Sequence, residues 1–172
     1  MSTITKRHTA DGVSSVAIYS ECELYRYTLT RTWSKKVAKR IAFIGLNPST
    51  ATEVQNDPTV ARCMNYARDW GYDECTMLNA FGFRATDPKV MKEQDDPVGA
   101  DNDLFIKKIV MTVDQVVCCW GNHAAHHDRS ETLLSLLKAW NRPLHCLTLT
   151  KSNEPGHPLY LRKDAKPFEF SA

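Results

Sequence analysis

From residue 13 to 33 apolar and polar side chains alternate imperfectly (VSSVAIYSECELYRYTLTRTW), with Val, Tyr and Thr over-represented. That pattern predicts an N-terminal β-hairpin turning near Ser20–Glu23. The rhythm then changes. Ile41 to Leu46 is a continuous apolar run that stops abruptly at Asn-Pro-Ser-Thr, as a buried parallel strand does when it opens into a loop. Asp57-Pro58 offers an N-cap and a first-turn proline, and Val60, Met64 and Ala67 follow at helical spacing up to Gly71. Strand-like runs recur at 74–81, 115–120 and 144–149, with helical segments at 101–113 and 130–140, the latter capped by Asp128 or Ser130. Residues 82–98 read as a loop with two Asp-Pro turns.

Four strands separated by helices predict an α/β fold. It is a three-layer sandwich with a central, mainly parallel four-stranded sheet, plus the N-terminal hairpin. With no linker, repeat or low-complexity tract, residues 1–172 read as one domain, with the core at about 40–163. In open α/β sheets the ligand lies beyond the carboxyl ends of the strands. Four polar segments are placed there: Asn47-Pro48-Ser49-Thr50, Asn79 to Arg84, Gly121-Asn122-His123, and Lys151 to His157.

Composition adds bounds. The chain has 172 residues, 42% hydrophobic and 24% charged, which excludes wholesale disorder. No apolar run approaches the ~18 residues of a membrane span, and the first dozen residues lack a signal-peptide core. A cytoplasmic protein with no membrane partner is expected. A net charge of +2 is too small for a protein that coats DNA, though it allows a local basic groove. The six cysteines are scattered without a CxxC pair, which reads as reduced thiols in the core.

Each polar segment has a chemical and a plain reading. In GLNPST, Ser49 and Thr50 offer hydroxyls and N–H groups to a phosphate or a water, and the same string suits an ordinary Asx-Pro turn. GxxxxGK[ST] and GxGxxG are both absent, and no cofactor is expected. In LNAFGFRATDP the Asn79 carboxamide offers a donor and an acceptor to a ligand edge. Phe81 and Phe83 suit a planar ring or the core, and Arg84 suits a phosphate. In CCWGNHAAHHDR the spacing argues against zinc, because adjacent cysteines on a strand point to opposite faces; no metal is expected. His123 beside Gly121 is placed to line the site, whereas His126 and His127 read as solvated. His157, held by Pro158, suits an acid, a base or a donor to a developing anion.

The strings GLNPSTA, DPTVARC, WGY, LNAF, RATDP and DPVGADND, in that order, resemble domain-of-unknown-function family 1643, over about residues 20–165. The order of the four loops is more distantly similar to the uracil-DNA glycosylase superfamily. There Gly45-Leu46-Asn47-Pro48 corresponds to the water-activating loop, Asn79 to a base reader, Trp120-Gly121 to a Trp-Gly pair, and His157-Pro158 to the late loop. Two positions depart from that pattern: Asn47 stands where an acid is usual, and Leu159 replaces a serine.

That resemblance implies a glycosylase-like fold and extrusion of a base against Phe81 or Phe83. It assigns Asn47 to positioning water and His157 to stabilising the departing base. Pro48, Ser49, Thr50, Arg84, Gly121, Asn122 and His123 complete the implied substrate site. The function expected is recognition of a nucleobase or nucleotide, with excision of a base from DNA by N-glycosidic hydrolysis as the implied reaction. The alternatives are an enzyme of free or modified nucleotides and a non-catalytic nucleic-acid or nucleotide-binding module.

Overall fold

The computed structural model describes residues 2–171. Its strands are β1 (Thr3–Ala10), β2 (Val13–Ser20), β3 (Arg26–Thr32), β4 (Arg40–Gly45), β5 (Glu74–Asn79), β6 (Gln115–Cys118), β7 (His145–Cys146) and β8 (Phe168–Glu169). Its helices are α1 (Pro58–Asp69), α2 (Pro88–Lys92), α3 (Asn102–Val110) and α4 (Arg129–Ala139), with a 3-10 stretch at Asn122–Asp128. All eight strands join one sheet in the order β1-β2-β3-β5-β4-β6-β7-β8.

β4 is central because its side chains can be buried on both faces. Ile41, Ala42, Phe43 and Ile44 have no exposed surface, and burial of each of the three larger side chains stabilises by about 1.5–3 kcal/mol. The strand's two-residue period divides them. Ile41 and Phe43 join Cys63 and Tyr66 of α1, while Ala42 and Ile44 join Ile106 of α3 and Leu133 of α4. The consecutive Cys118 and Cys119 separate in the same way, one into each core cluster. All six cysteines are free thiols, and burial pushes the Cys75 thiol up to about 12.

α1 is bounded as its sequence dictates. Asp57 accepts from the Val60 N–H at 2.9 Å, and Pro58 fills the first turn. At the other end Gly71 takes φ +83°, and the N–H groups of Gly71 and Tyr72 close on the carbonyls of Arg68 and Ala67. This is a Schellman stop, which satisfies two carbonyls the helix would otherwise leave unpaired.

The expected sheet is corrected. Instead of a four-stranded, mainly parallel sheet with a separate hairpin and a glycosylase-like fold, there is one eight-stranded mixed sheet. Four of its seven strand pairings are antiparallel, and three are parallel. The hairpin is not an appendage, because β3 pairs antiparallel with β5, Leu29 opposite Met77, and buries Leu29 in the main core. β1 carries TITKRHTA, too polar for an apolar count to reveal, and is held by full register with β2. β8 closes the far edge against β7, which is shortened to two residues. The loop expected at 82–98 contains α2, capped by Asp87 through the Lys89 N–H. Among the described residues no helix is long and apolar enough to cross a membrane.

Candidate functional site

The chain leaves β4 to form β5 on one side and returns as β6 on the other. The crevice at such a switch point is where α/β sheets place ligands. Here it is a cleft of about 510 Å³, within the range of small-molecule sites. The ends of β4, β5 and β6 and the loop after β7 all contribute to it. Asn47, Ser49, Asn79, Gly121, Asn122, His123 and His157 line one space. Leu46, Val60, Met77 and Leu159 give it apolar walls.

Asn79 ends β5 and is only 4% exposed. Its Oδ1 accepts from Nη2 of Arg26 at 3.4 Å. A guanidinium only donates, so the contact fixes which way the amide faces, and the Nδ2 donor is left for a ligand. Gly45 permits the arrangement, because a Cβ there would stand 3.3 Å from Asn79 Nδ2. Arg26 itself is 2% exposed and donates from Nη1 to the Ala51 carbonyl at 2.9 Å, tying the β4–α1 loop to β3. Burial lowers its pKa to about 10 against the pull of Asp57, so it stays charged at neutral pH.

His157 stands at the rim. Its Nδ1 accepts from the Leu159 N–H at 3.2 Å, which makes Nε2 the protonated nitrogen of the neutral ring. Part of the ring is open to solvent, yet the packing around the rest desolvates it and lowers its pKa, opposed by the Asp57 carboxylate. Gly121 takes φ +74° and ψ −174°, and its N–H reaches the Pro155 carbonyl at 2.7 Å. That bond joins the end of β6 to the loop of His157. Glu154 adds to it by accepting from Trp120 Nε1 and Ser130 Oγ, at 2.9 and 2.8 Å. Thr150 donates to Asn122 Oδ1 at 2.6 Å, and Lys92 donates to His123 Nδ1 at 2.9 Å.

Half of the Asn47 carboxamide is committed to the backbone. Its Nδ2 donates to the Ala85 and Pro48 carbonyls at 2.8 and 3.1 Å, stapling the β4–α1 loop to the segment after β5. Only Oδ1 remains for a ligand or a water. Several other expected residues are not among those that line the cleft. Pro48 is buried and Thr50 exposed outside it. Phe81 is wholly buried, with its ring 6.0 Å from that of His126, so it cannot stack on a base. Phe83 packs edge-on against Tyr25. Arg84 donates to the Glu23 carbonyl and lies over the Tyr19 ring, which keeps it from a phosphate in the cleft. Neither phenylalanine faces the cleft; the one aromatic residue that lines it, Trp120, is 1% exposed and tied through Nε1 to Glu154. Among the described residues no three His, Cys, Asp or Glu side chains are grouped to hold a metal.

Reading along the chain missed Arg26, Asp57, Thr59 and Thr150, which also line the cleft. Asp57 was legible as a helix cap, and its place beside the crevice follows from where α1 begins. Arg26 carries no such signal, since it lies in an alternating strand that the sequence pattern sets apart from the core.

Residues 26–159 match the family model described as Protein of unknown function (DUF1643). The chain belongs to this family. The matched span begins at Arg26 and ends at Leu159, so it includes every residue that lines the cleft. A search of curated proteins finds no match.

Proposed function

We propose that the cleft of this family member binds the base of a nucleotide, and that hydrolysis of the N-glycosidic bond is the reaction its groups fit. The observation that carries the reading is the pairing of two oriented donors in one ligand-sized space. Asn79 Nδ2 is turned outward by Arg26, and His157 Nε2–H is set by the Leu159 N–H. A planar heterocycle with carbonyl oxygens satisfies both donors, and the apolar walls suit its faces.

In this reading Asn79 selects the base and His157 donates to the oxygen that gains negative charge as the C1′–N bond breaks. Such a contact strengthens toward the transition state. Asn47 Oδ1 and the Asp57 carboxylate are the acceptors nearest in kind to a water-positioning pair. Asp57 already accepts from the Val60 and Ala51 N–H groups, one on each carboxylate oxygen, which fixes how the carboxylate is presented to a water.

The test has two arms. Thermal shift with nucleosides and nucleoside monophosphates measures recognition, and Asn79→Ala should abolish the shift. Release of uracil, mismatched thymine or modified bases from oligonucleotides measures excision, and His157→Ala should reduce the rate more than the affinity. Binding without release by the parent protein would leave a recognition module. Absence of any shift and any release would overturn the reading.

A further inference from the structure

Beside the cleft lies a second hollow, of about 420 Å³, between α1 and the segment at 159–163. Leu159 belongs to the walls of both, and Pro58 of the second adjoins Thr59 and Val60 of the first. The two spaces are thus neighbours along the start of α1. Three cations line the second one, Arg62, Arg68 and Lys163, against a single carboxylate, Asp69. Among the described residues none of the three is in a salt bridge. The two arginines are oriented by contacts that do not neutralise them. Arg62 donates to the Leu161 carbonyl at 2.9 Å and lies over the Tyr66 ring, and Arg68 lies 4.9 Å over the Trp33 ring. The hollow is held open by Tyr66, whose hydroxyl donates to the Arg162 carbonyl at 2.8 Å and fixes the 159–163 segment to α1.

Guanidinium groups held on aromatic rings with their charge unspent are suited to phosphate oxygens. We propose that this hollow carries phosphates of a single-stranded nucleic acid whose neighbouring nucleotide occupies the cleft. The ligand is then a polymer rather than a free nucleotide. This rests on the nucleotide reading of the cleft. A single strand is favoured over a duplex for two reasons. The cationic strip is short and the whole chain carries only +2, too little to neutralise duplex DNA over a full footprint. An unpaired base also enters a cleft without the energy of unstacking and unpairing.

The experiment compares the intact protein with an Arg68→Gln/Lys163→Gln variant, both positions being exposed. The probes are short fluorescein-labelled mixed-sequence single strands, the same sequences as duplexes, and the four nucleoside monophosphates, titrated over a range of salt. Each phosphate contact on a single strand contributes about 0.7 to the slope of log affinity against log salt. Three contacts predict a slope of about −2, and the double variant should reduce its magnitude by about 1.4. The variant should bind the single strand about tenfold or more weakly and bind mononucleotides as the parent does. An unchanged slope in the variant, or a single strand bound no tighter than a mononucleotide, overturns the hollow and leaves the cleft reading standing. Tighter binding of duplex than of single strand overturns the choice of polymer. If neither strand nor mononucleotide binds, the cleft reading falls and this inference falls with it.

Discussion

Replacing Arg26 by Met tests whether one buried cation holds the cleft together. Methionine approximates the length of the stem but removes the donors to the Ala51 carbonyl and Asn79 Oδ1. Ala51 is wholly buried, so its carbonyl cannot turn to water, and an orphaned buried acceptor costs about 1–3 kcal/mol. The bond to Asn79 is longer and weaker, and removing a desolvated charge returns part of the loss. A net destabilisation of about 2–3 kcal/mol follows. For a chain of this length each kcal/mol moves Tm by about 2–4 °C, so calorimetry should find a fall of about 4–12 °C. The second consequence is chemical. Without a donor-only partner the Asn79 amide turns over freely, and preference for ligands with a carbonyl edge over those with an amino edge should shrink about tenfold, or ~1.4 kcal/mol. Arg26→Lys keeps the charge but not the fork, and should restore stability better than selectivity. A Met variant as stable as the parent, or one that loses stability but keeps full selectivity, would refute the argument.

Two further outcomes follow from the cleft walls. Gly121→Ala should lose about 1–3 kcal/mol in denaturant titration, because φ +74° with ψ −174° is essentially a glycine conformation; no atom lies within 4 Å of the added methyl, so equal stability would show the backbone is not strained there. His157 has a folded pKa below its unfolded value, so the stability tied to its neutral ring is complete above about pH 6.5 and is lost as pH falls through the folded value. The parent should therefore lose more Tm than His157→Gln between about pH 7.5 and 5.5, and parallel losses would contradict the assignment.

How much of this was legible depends on range. Local patterns placed β4, β5 and β6, the Asp57 cap and the Gly71 stop, because each is decided within a few residues by burial or backbone conformation. Strand ends carrying Asn47, Asn79, Gly121 and His157 were legible for the same reason, once a parallel pattern put them at one edge. The misreadings are non-local. The antiparallel seam between β3 and β5 joins residues about forty-five apart, and nothing in either strand alone names its partner. Phe81 and Phe83 look alike in the sequence, and only the packing around α3, α4 and Tyr25 decides where each ring goes. Arg26 is the sharpest case. An arginine in an alternating strand reads as an exposed position, and here it is buried, carbonyl-bound and central to the site.

Asn47 lines the cleft while its amide nitrogen is committed to the backbone. By analogy with acid-bearing loops, Asn47→Asp should supply a missing base and speed hydrolysis. The hydrogen bonds argue the reverse. The Nδ2 group faces three carbonyl oxygens, those of Ala85, Pro48 and, at 3.5 Å, Phe83, and a carboxylate there would set oxygen against oxygen. Two donated bonds are lost and the repulsion adds to them, so the variant should be less stable by about 2–4 kcal/mol at neutral pH, with the β4–α1 loop released from the segment after β5. The same geometry favours the protonated acid, which can still donate to one carbonyl, so the folded pKa of the new side chain lies above its unfolded value. Protonation then stabilises the fold, and the stability gap to the parent should narrow as pH falls from about 7 toward about 4.5. Paired melts of parent and variant at the two pH values read this directly. A gap of constant size would mean that Asn47 only fills space, and a variant that is equally stable and hydrolyses a substrate faster would restore the water-activating role to this position.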